Sequence, residues 1–342
     1  MNAETDEQVA LRDTVRRALA AESPDRAWKR LAGLGALDVL VPESCGGSGL
    51  GMVEAAIVSE EIGRALCAGP WLATAVAAVR AAAAAGAAFV PGDRRAAVAL
   101  PWPGHGAGFA VDGAARVTGV QDHVLGAPLA DLLLLPATRD GGVVLVAVEG
   151  AGAEAEPGLD ATTSVGTVSV AGARGEVLGP LPHGALDAVR DDVLVAWAAD
   201  ALGAARAVLT LAVEHAKVRH QFGQPIGAFQ AVQHLLVDGL ETVELVAGGV
   251  LHAAWAADAG RAPSATSRRC ASRPSPAGSP PSATSRSRSS AASAARGSTT
   301  PTGTPAVVGV VRRVRVRVVV PGRRGPLARR GEDMTSRPAV RV

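Results

Sequence analysis

The residues with the most evident chemical potential lie around position 220, in the segment RHQFGQPIGAFQ that starts at Arg219. The guanidinium of Arg219 and the amides of Gln221 and Gln230 fall on either side of a Gly-Pro turn. Helical periodicity before and after the turn predicts that two helices meet here, and exposed guanidinium and amide groups at a helix junction can bind a pyrophosphate. The simpler alternative is a surface ion pair between Arg219 and Glu214 or Asp238, with the aromatic ring of the segment filling a gap between the helices.

This segment resembles the C-terminal helical bundle of acyl-CoA dehydrogenases, whose pattern is R-x-Q-F-G-x-P-I followed shortly by F-Q. The matching positions are Arg219, Gln221, Phe222, Gly223, Pro225, Ile226, Phe229 and Gln230. The resemblance implies contacts to FAD for four of them, namely Arg219, Gln221, Phe222 and Gln230. In the family this FAD is held mainly by a neighbouring subunit, so the site is complete only in an oligomer, either homomeric or formed with another acyl-CoA dehydrogenase subunit.

Two further segments carry the same resemblance. The stretch from Trp28 to Gly51 is similar to the family motifs W-x-x-L-x-x-L-G and V-P-E-x-x-G-G-x-G, and we interpret its glycines as a structural turn. The stretch VTGVQDHVLGAPLADLLLLPA, from Val117 to Ala137, resembles the strand and loop that lie against the flavin ring. This resemblance implies that His123 and Leu125 flank the ring. Leucine departs from the usual threonine, because it has no hydroxyl to offer a flavin nitrogen.

The resemblance implies α,β-dehydrogenation of an acyl-CoA thioester. In this reaction a carboxylate removes the α-proton while the flavin accepts a hydride from the β-carbon on the opposite face. The family places the carboxylate either in a C-terminal loop or 26 residues before the matching arginine, and the latter position is Val193 here. Valine cannot take a proton, and the neighbouring Asp191 and Asp192 are expected to point elsewhere on the helix. The catalytic residue therefore stays unassigned. A second departure is Pro101-Trp102-Pro103, where the family usually has Thr-Glu-Pro against the flavin.

Two helical regions and an intervening β region must position these residues. Helical periodicity over Asp6 to Ala21 and Ala27 to Leu34, resumed from Val53 to about Ala88, predicts an all-helical N-terminal unit. Runs rich in Val and Leu from Ala96 to Leu178 predict strands, and the helical pattern returns near Asp187. The predicted fold class is α+β, with an N-terminal helical domain (1–92), a middle β-domain (93–182), an incomplete C-terminal bundle of two long helices (183–260) and a tail (261–342).

Charge divides the chain unevenly. Residues 1–260 contain 30 acidic and 17 basic side chains, whereas residues 261–342 contain 2 and 17, so the net charge of +2 describes neither part. Three cysteines without a CxxC pair predict a reducing compartment, and we expect a cytoplasmic protein. The acidic N-terminus and the lack of a long apolar run predict neither a signal peptide nor a membrane span. The histidines lack the spacing of metal ligands, so no metal site is expected.

The tail is rich in Arg, Ser and Pro, although the family needs two more helices there. In a GC-rich gene, a slipped reading frame changes Ala-, Val-, Leu- and Gly-rich sequence into this composition. The shifted frame of Ala283 to Gly297 permits Gln-Val-Leu-Gly-Gly-Ile-Gly, and that of Arg296 to Thr302 permits Trp-Glu-His-Asp. Together they resemble the missing family segment. We hypothesise a frameshift near Gly260, which resequencing the locus would test. Beyond about residue 262 we expect irregular chain with a strand only over Val307 to Val320. The tail has no aromatic residue, which argues against nucleic-acid binding.

The resemblance therefore implies an acyl-CoA dehydrogenase-like flavoprotein with FAD as hydride acceptor, an acyl-CoA as substrate and electron-transfer flavoprotein as oxidant. One alternative is a non-catalytic subunit that completes the flavin site of a partner through Arg219, Phe222 and Gln230, because the base is missing and the flavin loop is altered. A third interpretation is an inactive remnant that does not assemble.

Overall fold

The computed structural model describes residues 4–20, 24–101, 108–158 and 160–260, so the predictions made for the tail fall outside the described residues. The helices are α1 (Asp6–Leu19), α2 (Pro24–Gly33), α3 (Met52–Ala65), α4 (Val79–Ala84, continuing a π-helical segment Leu72–Ala78), α5 (Ala185–Val218) and α6 (Gln230–Asp258). The strands are β1 (Ala96–Val98), β2 (Phe109–Val111), β3 (Arg116–Leu125), β4 (Leu132–Arg139), β5 (Gly142–Glu149), β6 (Ala153–Ala155), β7 (Val165–Arg174), β8 (Glu176–Pro180), β9 (His220–Gln221) and β10 (Gln224–Pro225). This order confirms the predicted α+β fold class.

Local signals explain where the first helices begin. Thr5 and Gln8 form a capping box, in which each side chain accepts a hydrogen bond from the backbone N–H of the other, and α1 starts between them. Helix α2 starts at Pro24, three residues before the predicted periodic segment, because proline fits the first turn of a helix, where its missing N–H is not needed.

The β region is one sheet in the order β6-β7-β3-β2-β4-β5-β8, with β1 paired parallel to β4. Alternate residues of β4 enter two different cores, as expected from the two-residue period of a strand. Leu132 and Leu134 pack with the helices, whereas Leu133 and Leu135 pack in a second core within the β region. The sheet is therefore fixed to the helical part through one of its faces.

Helix α5 is the central element of the helical part. Its first half is buried against α3, and the two backbones approach closely where glycines face them. A methyl group at Gly203 would overlap the carbonyl oxygen of Glu60, and one at Gly63 would overlap the carbonyl oxygen of Asp200. By length and composition α5 could also cross a membrane. Half of its most apolar window is buried inside the protein, however, and a buried core helix of a protein outside the membrane meets the same criteria.

Two carboxylates, one buried and one exposed, tie the helices together. Glu61, whose side chain is 1% exposed, accepts two hydrogen bonds from Arg16 and one from Arg12 on α1. At the other end of α3, Asp258 at the end of α6 accepts hydrogen bonds from the backbone N–H groups of Met52 (2.6 Å) and Val53 (3.2 Å). Asp258 thus acts as an N-cap for a helix that begins far away in the sequence.

Candidate functional site

The predicted junction between two long helices is present and has a defined backbone shape. Helix α5 ends at Val218, and α6 starts at Gln230. Between them β9 and β10 form a two-stranded ribbon, in which Gln221 pairs with Gln224. The backbone carbonyl of Arg219 accepts a hydrogen bond from Ile226 N–H at 2.7 Å, which closes the base of the ribbon.

The tip of the ribbon is the least relaxed part of the junction. Phe222 and Gly223 have φ values of 52° and 81°, which is the pair of left-handed conformations that a two-residue hairpin turn requires. Glycine adopts this conformation freely, whereas a bulky residue such as phenylalanine is strained in it. Strained backbone of this kind concentrates at functional sites. The sequence indicated a Gly-Pro turn between the helices but not the left-handed conformation of Phe222.

The side chains of the junction are exposed. Phe222 is 92% exposed and meets the ring of Phe229 edge-on, with the ring centroids 6.1 Å apart. It does not fill a gap between the helices, as the simpler sequence alternative required. Arg219 has no carboxylate within ion-pair distance among the described residues, and Glu214 pairs instead with Lys217 at 2.6 Å. Gln221 and Gln230 are also exposed.

His123 and Leu125 lie at the end of β3, at a bulge. The pairing of β3 with β7 shifts register between Gln121 and Val124, and His123 has a φ of 58°. Its ring is half-exposed, and its Nδ1 atom lies in a short contact with the carboxylate of Glu156. Leu125 is half-buried and contacts both hydrophobic cores, so the strand packs against the protein interior again directly after the bulge.

The position matching the family's base holds no proton acceptor. Val193 is fully buried in the helical core. Its neighbour Asp192 points to Arg80, 3.1 Å away, as expected for a side chain on another face of the helix. Burial raises the pKa of Asp192 to about 6; Arg80 opposes this rise, while Asp258 and Asp191 add to it. Asp192 is therefore part of the contact between α4, α5 and α6, and the catalytic residue stays unassigned.

Asp131 and Pro101 both have partners in other elements. Asp131 accepts a hydrogen bond from the backbone N–H of Arg95 at 2.9 Å, 36 positions away, so it joins the start of β4 to the start of β1 and does not cap its own turn. The carbonyl oxygen of Pro101 accepts a hydrogen bond from Arg190 at 2.8 Å, which joins the end of this segment to α5. Trp102 and Pro103 fall outside the described residues. No group of His, Cys, Asp and Glu in the described ranges could hold a metal ion.

Glu156 is a partner of the candidate residue His123 that sequence reasoning missed. It lies in the segment after β6, 33 positions from His123, and no periodicity or motif marks it. Its carboxylate accepts hydrogen bonds from the backbone N–H of His123 and the hydroxyl of Thr167, and it also contacts the His123 ring. Burial raises the pKa of Glu156, but these hydrogen bonds and the histidine charge outweigh it and hold the pKa below its ordinary value.

Comparison with known proteins gives the family context of this geometry. The model of the acyl-CoA dehydrogenase N-terminal domain matches residues 5–88, and that of the acyl-CoA dehydrogenase C-terminal domain matches residues 195–271. These two segments contain the GGSGLG turn and the α5–α6 junction.

Two curated relatives come from Mycobacterium tuberculosis. The chain is 37% identical to acyl-CoA dehydrogenase FadE34 over 250 residues, which is 68% of this chain but 33% of that protein. It is 30% identical to acyl-CoA dehydrogenase IpdE2 over 256 residues, or 74% of this chain and 71% of that protein. The chain thus spans only about a third of FadE34.

The fold is also similar to that of solved structures. The crystal structure of the ChsE4-ChsE5 complex from Mycobacterium tuberculosis matches with a TM-score of 0.65 and 26% sequence identity. The match covers 80% of this chain and 82% of that one.

Proposed function

Because this chain belongs to the acyl-CoA dehydrogenase family, we propose that it binds FAD and catalyses the α,β-dehydrogenation of an acyl-CoA thioester. The observation that carries the proposal is the α5–α6 junction, where the strained ribbon holds the Phe222 ring 92% exposed beside an arginine that pairs with no described carboxylate. The relatives named above are dehydrogenases, which favours this function over that of a non-catalytic subunit.

The side chains at the junction fit the chemistry of FAD. A dinucleotide offers a pyrophosphate, which a guanidinium can bind with two hydrogen bonds, and flat rings, which an exposed aromatic side chain can cover. Arg219 supplies the guanidinium, Phe222 supplies the ring, and Gln221 and Gln230 supply amides that can both donate and accept. His123 and Leu125 are proposed to flank the flavin ring at the end of β3.

The bound FAD supplies the hydride acceptor for the reaction. The residues of this chain would hold the cofactor: Arg219 would bind its negative charge, Phe222 would cover apolar surface, and Leu125 would contribute an apolar contact beside the ring. Leu125 supplies no hydroxyl, and Val193 takes no proton, so no proton-transfer step is assigned to either position.

We propose that the site is completed by another subunit. The junction side chains project into solvent, whereas a cofactor site has to enclose its ligand. The second subunit is a copy of this chain or a related dehydrogenase subunit, and the ChsE4-ChsE5 complex is a similar protein that contains two different chains. Electron-transfer flavoprotein is the proposed oxidant and the cytoplasm the proposed compartment.

The test is purification of the full chain, alone and with the product of a neighbouring gene that encodes a related subunit, followed by measurement of bound flavin by absorbance. We expect a yellow protein, and Arg219→Ala should weaken FAD binding by about tenfold or more, because a hydrogen bond to a charged group contributes roughly 1.5–3 kcal/mol. Lys217→Ala is the matched control, since Lys217 is a cation two positions away that pairs with Glu214. A folded protein that binds no flavin in either preparation, or equal FAD affinity in the two variants, would contradict the proposal.

A further inference from the structure

The bulge at the end of β3 is held by an acidic cluster around one histidine. Asp122 and His123 fall in the interruption of the β3–β7 ladder, so their backbone groups need partners other than the neighbouring strand. The N–H of His123 donates to Glu156 Oε1 at 2.9 Å. The strained left-handed backbone at His123 is therefore stabilised by a side chain from the segment that follows β6.

The same carboxylate also holds the imidazole ring. Glu156 Oε2 is in a short contact with Nδ1 of His123. The Thr167 hydroxyl lies 2.9 Å from Glu156 Oε1 and 3.0 Å from Asp122 Oδ1, so it joins the two carboxylates through one shared proton. Glu156 is thus fixed at both oxygens, and it fixes both the backbone and the ring of His123.

This arrangement leaves the ring, and not the carboxylate, as the surface that a ligand would meet. The His123 side chain is 49% exposed, whereas that of Glu156 is 21% exposed. A carboxylate against Nδ1 keeps a proton on that nitrogen and so decides the tautomer and orientation of the ring.

We propose that Glu156 is a positioning residue, which holds the His123 ring by its protonated Nδ1 atom and so presents the unprotonated Nε2 atom of the neutral ring to the flavin. The inference rests on the proposed function, since it is the flavin that gives this acceptor its role. An acceptor there favours the N–H group that a flavin gains on reduction, so the pair raises the reduction potential of the bound cofactor.

The alternative is that Glu156 only closes the bulge, and a first experiment on the apoprotein separates the two roles. The imidazole nitrogens are labelled with ¹⁵N and observed by NMR in the wild type and in Glu156→Gln. We expect His123 to carry its proton on Nδ1 in the wild type and to shift toward the Nε2-protonated tautomer in the variant. Glu154→Gln is the matched control, since Glu154 lies two positions away on β6 and is exposed. Identical His123 signals in Glu156→Gln and the wild type would overturn the proposal.

A second experiment measures the cofactor. In the flavin-loaded protein, Glu156→Gln should make the reduction potential more negative and alter the flavin absorption spectrum, whereas Glu154→Gln should leave both unchanged. Glu156→Asp, which keeps the charge, should restore part of the shift. Normal FAD binding with an unchanged potential in Glu156→Gln would overturn this inference alone. A protein that binds no FAD would remove the proposed function and the flavin role of His123, while the NMR shift would still show the Glu156–His123 contact.

Discussion

Single carboxylates in this protein change its stability in opposite directions. Burial raises the pKa of Asp200, on α5, to about 7. In Glu61, burial also raises the pKa, but the hydrogen bonds and charges of Arg16 and Arg12 outweigh it, and the net pKa is lowered. The two pKa shifts differ in sign because Glu61 accepts hydrogen bonds from two guanidinium groups, whereas burial is the dominant cause at Asp200.

We expect Asp200→Asn to stabilise the protein at pH 8. A folded-state pKa above the unfolded value means that the folded protein binds the proton more tightly, so the Asp200 contribution to stability is full below the unfolded pKa of about 4 and declines as the pH rises to about 7. Asparagine carries no charge, so the stability of the variant does not fall in this way as the pH rises. Urea unfolding should show a gain on the order of 2 kcal/mol at pH 8 and little gain at pH 4. The control is Asp140→Asn, on an exposed turn, and a gain independent of pH would contradict the assignment.

Glu61→Gln should have the opposite effect. It leaves Arg12 and Arg16 without the carboxylate that accepts from both, and breaking a buried ion pair costs about 3 kcal/mol or more. Because the folded pKa of Glu61 is lowered, its contribution is present above the unfolded pKa and is lost as the pH falls below about 4.5 through the folded value. Thermal unfolding at pH 7 and pH 3.5 measures both effects. Glu7→Gln, an exposed change on α1, is the comparison, and equal melting temperatures for the two variants at pH 7 would count against the network.

At the scale of elements, the crossing of α3 and α5 depends on two glycines. Gly203 faces the carbonyl of Glu60, and Gly63 faces that of Asp200, without room for a methyl group. The helices are therefore closer than side chains would allow, and their separation fixes the α5 axis that carries the ribbon with Arg219.

We expect Gly203→Ala to destabilise the protein by about 2–3 kcal/mol, since overpacking in a close contact forces the backbones apart. Gly248→Ala on α6 is the matched control, because no atom lies within 4 Å of the added methyl and alanine is the better helix former. Denaturant unfolding of both variants should give a loss for the first and a neutral result or a gain of up to about 1 kcal/mol for the second. Equal stabilities would show that the crossing can relax.

The elements were largely predictable from sequence, and the contacts between them were not. Helical periodicity marked α1, α3, α5 and α6 because each buries a repeating apolar face, and Val-rich runs marked the strands. The start of α2 was predicted three residues too late. Pro24 lies in the first turn of the helix, where a proline interrupts no backbone hydrogen bond. The family motif marked Arg219 and Phe222, but nothing marked Glu156, whose partner His123 is 33 residues away. The cofactor roles of these residues stay predictions until flavin binding is measured.

At the scale of the whole molecule, the outer part of the α5–α6 pair is covered with exposed apolar side chains. Those with more than half of their surface exposed are Leu211, Val218, Phe222, Leu235, Val237 and Leu245. Exposed apolar side chains concentrated on one helix pair are typical of protein–protein contacts. It lies on the same element as the proposed cofactor residues, so assembly and flavin binding should be linked.

We expect Leu245→Gln to weaken assembly and flavin retention together. Loss of a leucine side chain from an interface costs on the order of 1–2 kcal/mol, which is about tenfold in a dissociation constant. Sedimentation velocity and the ratio of flavin to protein measure the two properties. Leu66→Gln is the control, because Leu66 is 54% exposed but lies at the end of α3. Assembly unaffected by Leu245→Gln would remove this face from the interface.

The cap that Asp258 provides for α3 has a consequence for the order in which the protein matures on the ribosome. Met52 leaves the exit tunnel long before Asp258, which follows 206 positions later. The N-terminal helices can therefore collapse early during translation, but the first turn of α3 keeps its N–H groups hydrated until nearly the whole described chain has emerged. A nascent chain stalled before residue 258 should show this turn as its site of fastest amide exchange, and release of the next few residues should protect it.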